Sequence, residues 1–390
     1  MEQLLAWAYL SRVIEGPNRH LQQHLQQGKT ATELAYAIRK RESWLGPLLA
    51  ATEARYTYDR CEQDLALHYK LGGRLVTPDD QEWPTEMFQR AFGFAKLRGQ
   101  EESKTHQYDA EMPHALWVRG ENIASLCQQS VSIVGTRAAS EYGLGVTRQI
   151  THELVQQQYT IVSGGAFGVD SAAHQEALES GGTTIAVLAH GLDRVYPTRN
   201  ARLFQRIATS GKGALISEYP PQTPPQRHRF LTRNRLIAAL SQGTVITSAA
   251  WRSGALNTLK WAAALGKVTM AVPGPITDVN CLGCLVKIRD GEATMVLSAR
   301  EIVALLDKIG AIDIDGQYEL DYAASDVQKL TQTELKVYDA TSMRPAKASE
   351  IATRSGLTIG LTVHILMELA GKGLVIREQE YWKRLEHVEE

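Results

Sequence analysis

Apolar residues fall at helical spacing through roughly the first seventy positions, then gather into short β-branched runs for most of the remaining chain. Leu4, Leu5, Trp7, Ala8, Leu10 and Val13 form one stripe, broken at Gly16-Pro17, and Leu21, Leu25, Leu34, Ala35 and Ile38 continue the spacing. The pattern predicts a helical domain over 1–70. Short strands are predicted at Gly73–Val76 and Ala115–Val118, with the polar stretch 99–111 as a surface loop. From Val131 to Leu306 strand-like runs (Val131–Val134, Thr160–Val162, Thr184–Leu188, Ala214–Ile216, Val245–Thr247, Val268–Val272) alternate with amphipathic segments of helical length. Successive parallel strands with crossover helices imply an α/β class, an extended Rossmann-like doubly wound sheet, here assigned to 71–308. The acidic stretch 309–328 reads as a linker. Within 329–390, three helices and a two-stranded ribbon at Leu374–Ile376 and Glu380–Trp382 give a winged-helix pattern.

Composition narrows the function classes. A length of 390 residues fits two or three domains. A net charge of −1 gives no molecule-wide attraction for a polyanion, so any such argument must be local. Four cysteines in so long a chain indicate a reducing compartment rather than a disulfide framework. There is no basic-then-apolar leader and no apolar run approaching the ~18 residues of a membrane span, so a cytoplasmic location is expected. Cys281-Leu282-Gly283-Cys284 has metal-ligand spacing, but no second Cys or His pair lies nearby, and no metal site is expected. No Ser-His-Asp set, carboxylate pair or metal-binding His pair stands out, and no cofactor is expected.

The candidate chemistry lies in loops after the strands. Gly135-Thr136-Arg137 follows the first core strand and offers close backbone approach, a hydroxyl and a guanidinium fork to phosphate. Ser163-Gly164-Gly165 follows the second strand, ahead of a helix whose first turn carries Asp170; the acid suits the positive end of that helix. Arg252-Ser253-Gly254 opens another helix and makes a further phosphate cradle. Two familiar nucleotide motifs fail. Gln23 stands where a P-loop ending in Gly28-Lys29 needs glycine, and Arg148 occupies the third glycine position of a dinucleotide fingerprint begun at Gly143 and Gly145. Gly28-Lys29-Thr30 is therefore expected to be a turn between helices.

One window is strongly basic. Arg199, Arg202, Arg206, Lys212, Arg227, Arg229, Arg233 and Arg235 lie close together with Glu218 as the only acid among them. Such a segment in a near-neutral chain suits a polyanion, and His228 and Phe230, interleaved with it, suit base stacking. Arg233-Asn234-Arg235 places two guanidinium forks about an amide and is expected to touch the ligand. The third helix of the C-terminal unit carries no Lys or Arg in its first two turns, so sequence-specific duplex reading is not expected of it.

Taken together, these motifs resemble the DNA-processing protein A family (DprA, also called Smf). The matching stretches are Ile133–Arg137, Tyr142-Gly143, Val162-Ser163-Gly164 with Gly168-Val169-Asp170, Ala172-Ala173-His174, Gly191–Pro197, Ser217–Pro221, Phe230 with Arg233–Ala238, Ser253-Gly254 and Val272-Pro273-Gly274. The resemblance covers nearly the whole chain, and implies an N-terminal helical region of sterile-alpha-motif or helix-hairpin type. It further implies a protein, not an enzyme, that binds single-stranded DNA entering the cell in natural transformation, protects it and loads a RecA-type recombinase on it. The implied assembly is a homodimer through the Rossmann core, and the implied contacts are Arg137, Ser163, Gly164, Arg233, Asn234 and Arg235. The chain departs from the family pattern at Phe167 (usually Arg), Leu231 (often Pro), Ser248 (often Glu), Arg252 (usually Lys) and Leu285 (usually Asn). Two other classes compete. A nucleotide-binding enzyme or sensor of phosphoribohydrolase type would carry a Pro-Gly-Gly-x-Gly-Thr loop, where this chain has Ser248 and Ser253-Gly254. A duplex-reading regulator would need a more basic third helix.

Overall fold

The computed structural model describes residues 2–98, 110–307, 327 and 329–385. The chain divides into one compact unit within Met1–Ile312 and a second within Asp313–Glu390. Most of the polar stretch 99–111 and nearly all of the expected linker lie outside the described residues.

Five helices come first: α1 (Glu2–Val13), α2 (Arg19–Gln26), α3 (Ala31–Lys40), α4 (Pro47–Thr52) and α5 (Cys61–Lys70). Asn18 caps α2, accepting from the amides of His20 and Leu21. Thr30 caps α3 in a capping box with Glu33, which makes Gly28-Lys29-Thr30 the expected inter-helix turn.

The boundary expected at residue 70 does not separate two units. Trp7, Leu10, Leu34 and Ile38 share one buried cluster with Leu75, Trp117, Phe204, Ile207 and Leu215. Polar bonds fasten the same seam. Ser11 Oγ accepts from the Trp117 indole at 3.0 Å, fully buried. Arg12 forks onto Asp64 and also donates to the Pro221 carbonyl. The helical stripe read from the sequence is therefore the face that covers the sheet, not the core of an independent bundle.

The sheet has nine strands. After β1 (Gly73–Val76) come α6 (Thr85–Arg98), β2 (Leu116–Gly120), α7 (Ile123–Cys127), β3 (Ser130–Gly135), α8 (Glu141–Gln156), β4 (Thr160–Ser163), α9 (Val169–Glu179), β5 (Thr184–Leu188), α10 (Ala201–Thr209) and β6 (Gly213–Ser217). They are followed by α11 (Arg227–Ala239), β7 (Gly243–Ser248), α12 (Ala255–Ala264), β8 (Val268–Ala271), α13 (Leu282–Arg289), β9 (Thr294–Met295) and α14 (Ala299–Leu306). The spatial order is β1-β2-β6-β5-β4-β3-β7-β8-β9. The seven strands from β6 to β9 are parallel, and β1 and β2 add an antiparallel margin. Strands β3 to β7 are buried throughout but for Gly135, as expected where helices cover both faces.

The chain runs outward from β3 through β4 and β5 to β6, then returns to lay β7 against the opposite side of β3. The order reverses at β3, and a crevice opens at such a point beyond the carboxyl ends of the strands.

The second unit contains α15 (Gln332–Ala340), β10 (Ala346–Lys347), α16 (Ala348–Ser355), α17 (Ile359–Gly371), β11 (Val375–Glu378) and β12 (Tyr381–Arg384), with strand order β10-β12-β11. Val337, Ile351, Ile365, Leu366, Leu369 and Trp382 form its core. Gly356, at a φ of 72°, ends α16 in the left-handed region that a residue with Cβ resists. This is the winged-helix arrangement expected.

Candidate functional site

A cleft of about 650 Å³ opens at the reversal point. Its walls are the loop after β3 (Gly135, Thr136, Arg137), Ala166 and Asp170 from the loop and helix after β4, the loop after β7 (Ala250, Arg252, Ser253, Gly254) and one side of α11. That side supplies Arg227, Phe230, Leu231, Arg233 and Asn234.

The loops hold each other in place by backbone bonds. The Thr136 amide donates to Ser248 O at 2.8 Å, and the Val169 amide to Thr136 O at 3.2 Å. Gly168, at a φ of 89°, brings the start of α9 so close that a Cβ there would stand 2.4 Å from Thr136 O. The glycine thus serves close packing of two loops.

Cations ring an aromatic side chain. The Arg137 and Arg233 guanidinium carbons each lie 5.7 Å from the Phe230 ring centroid, and Tyr196 packs against the same ring at 5.7 Å. Arg137, Arg227 and Arg252 are exposed. Arg233 differs: its Nη1 donates to the carbonyls of Gly164, at 2.6 Å, and Val187. Its buried Nε has no hydrogen-bond partner among the described residues, on a side chain that lines the cleft. Burial draws the Arg233 pKa down to about 10, so it stays charged at neutral pH. Beneath it, burial pushes the Asp170 carboxyl above its ordinary range, against the pull of Arg233 and the amides of Ala166, Gly135 and Gly164. The acid at the start of α9 therefore organises loop backbone.

Eight of the twelve residues expected to hold phosphate meet at this cleft: Gly135, Thr136, Arg137, Arg233, Asn234, Arg252, Ser253 and Gly254. The other four do not. Ser163, Gly164 and Gly165 are buried beneath it, and Ser163 Oγ donates to the Ile133 carbonyl at 2.6 Å. Arg235 is in the core. It lies two residues from Arg233, roughly 200° around a helix, and its guanidinium meets Glu218 at 2.6 Å. A strand would have put alternate residues on one side; a helix does the opposite.

The basic window is likewise not one track. Arg206 pairs with Glu179, Lys212 donates to the Gly181 carbonyl and Arg229 pairs with Glu15. The Glu15 carboxylate gathers Arg229, Arg55 and His228 on the other side of α11. Arg227, in contrast, joins the cleft. Residue types alone could not sort these cations, because helical phase and the position of Glu15 decide it. Cys281 and Cys284 are buried, and burial drives their thiols to about 11 and about 12. Among the described residues no group of three or more His, Cys, Asp or Glu could hold a metal ion. No helix of the described residues is long and apolar enough to cross a membrane.

Comparisons with known proteins identify the family of the chain. The model of the family "DNA recombination-mediator protein A" matches residues 74–307. A protein of Mycobacterium tuberculosis (strain H37Rv) carrying the name DNA processing protein DprA is 41% identical over 383 residues, 97% of this chain and 94% of the relative. Protein Smf of Escherichia coli K12 is 34% identical over 265 residues, 68% of this chain and 70% of the relative. The X-ray structure of DprA from Streptococcus pneumoniae is 28% identical, with a TM-score of 0.61, and the match covers 79% of this chain and 99% of that one. By the matched core and the end-to-end relatives alike, the chain belongs to the DNA recombination-mediator protein A (DprA, Smf) family.

Proposed function

We propose that the cleft at the β3 reversal point binds single-stranded DNA and that the protein delivers the bound strand to a RecA-type recombinase. The observation that carries this reading is that the exposed residues Arg137, Arg227 and Arg252 line one cleft with Phe230, whose ring centroid lies 5.7 Å from the Arg137 guanidinium carbon. Cations there neutralise phosphates, and an aromatic ring receives a base without regard to its identity. Contacts of these two kinds do not read base identity, so the reading expects binding with little sequence preference. In this reading the protein acts in the cytoplasm as a homodimer through its Rossmann core, and it binds rather than catalyses. Kinship with relatives named for DNA processing supports the assignment.

A nucleotide-cleaving reading would rest on Asp170, the carboxyl among the cleft residues. Its bonds to backbone amides favour a positioning role. Titrating the purified protein with single-stranded and duplex oligonucleotides over a salt series tests the proposal. Tighter binding to the single strand, weakening steeply with salt, is expected. Equal affinity for both, or release of free base from nucleoside monophosphates, would overturn it.

A further inference from the structure

Two large rings lie open on either flank of the cleft without forming its walls. Trp251 is 56% exposed, yet its chain neighbours Ala250 and Arg252 both line the cleft. Phe167 is 48% exposed, and its neighbour Ala166 lines the cleft from the other side. Exposed rings of this size sacrifice burial that the fold would otherwise use. Neither is loosely placed in the chain. The Trp251 loop is pinned by the Ser253 amide donating to Ala250 O at 3.0 Å and the Gly283 amide to Ala249 O at 2.7 Å. Phe167 is backed by Arg199, whose guanidinium carbon lies 5.5 Å from the ring centroid.

Topology fixes their relation. Phe167 follows β4 and Trp251 follows β7, and these strands flank β3 on its two sides. Adjacent strands are about 4.8 Å apart, so the loops they launch straddle the Arg137 loop across roughly 10 Å. Arg137, on the β3 loop, occupies the middle of that line; Arg252 stands on the β7 loop beside Trp251, and the two rings mark the ends.

Building on the single-strand reading above, we propose that Phe167 and Trp251 are base-stacking platforms that receive bases on opposite sides of the phosphate-holding centre. The strand then crosses the carboxyl edge of the sheet from the β4 loop to the β7 loop, perpendicular to the strands. Phosphates lie over Arg137 and Arg252, and bases turn outward onto the rings. Such platforms accept any base, because every base has a π-face.

The test uses the full chain with oligothymidine and with an abasic oligodeoxyribose phosphate of equal length. Trp251→Leu and Phe167→Leu should each weaken oligothymidine binding about tenfold, while affinity for the abasic polymer and the slope against salt stay as in wild type. Quenching of tryptophan fluorescence by oligothymidine should largely vanish in Trp251→Leu, and Trp251→Phe should restore most of the affinity. Unchanged oligothymidine affinity in both variants, or equal loss on both polymers, would overturn the stacking proposal while leaving the single-strand reading intact. Failure of the wild-type protein to prefer single strands would remove both.

Discussion

The Arg235 guanidinium lies 2.6 Å from the Glu218 carboxylate, and both side chains are almost wholly closed to solvent. A charge in that position is held by its partner, and removing one member strands the other. Arg235→Ala is therefore expected to destabilise the fold by about 3–5 kcal/mol, read as a fall in the urea midpoint. A variant with an unchanged midpoint and weakened DNA binding would instead place Arg235 at the ligand.

Arg137 and Arg252 should behave in the opposite way. Both are exposed at the cleft, so replacing either with Ala should leave the unfolding midpoint nearly unchanged. Each lost phosphate contact should lower the slope of log affinity against log salt by about 0.7, with similar weakening for all sequences. A slope that stays constant in both variants would show that these guanidiniums do not meet phosphate.

Glu15 links α11 to the helical cover. Burial opposes its ionisation, but hydrogen bonds from Arg229, Arg55 and His228 outweigh burial and hold its pKa at about 2 rather than 4.5. The folded pKa is lowered, so the stabilisation is present above about pH 4.5 and is lost as pH falls towards 2. Wild type should exceed Glu15→Gln in stability at pH 6, and the gap should narrow across that window in acid titrations followed by circular dichroism. A gap independent of pH would refute the ion cluster.

Four buried histidines, His68, His114, His174 and His190, set a second pH dependence, because burial holds each below its ordinary pKa. Burial lowers His68 and His114 to about 4 and His174 to about 3, from 6.5. The unfolded chain takes up protons that the folded chain refuses between these values, so stability should fall as pH drops from about 6.5 to about 4. The urea midpoint at pH 5 should lie below that at pH 7. His174→Gln should flatten the dependence, and an unaltered slope would mean that the imidazole is not held neutral in the fold.

The alternation of strands and helices was legible in the sequence because strands buried on both faces read as continuous apolar runs, as at Val131–Val134 and Thr184–Leu188. The glycine turns marked the edge of the sheet where the cleft opens for a related reason: loops after parallel strands all emerge on one side. The fate of residues 1–70 was not legible. An amphipathic stripe states that a face is covered, not by what, and Trp117 and Leu215 supply the cover from far along the chain. The cations of α11 were also opaque, since the partners that remove Arg229 and Arg235 from the ligand, Glu15 and Glu218, lie 214 and 17 residues away. Trp251 escaped notice because it belongs to no motif; its meaning comes from its position beside two cleft residues.

Successive residues of α11 answer to three different neighbours. Arg227, Phe230 and Arg233 turn to the cleft, His228, Arg229 and Thr232 to the pocket around Glu15, and Arg235 to the interior. A helix so fully committed can hardly drift, since a change at any position disturbs one of the three. The adaptable part of the interface lies on the rim, at Arg137, Phe167, Trp251 and Arg252. Under the proposed binding mode, a new side chain there should alter how tightly, and in what posture, a strand is gripped without touching the fold. Divergence in ligand preference among relatives should concentrate on those loops, while α11 stays fixed as the common frame.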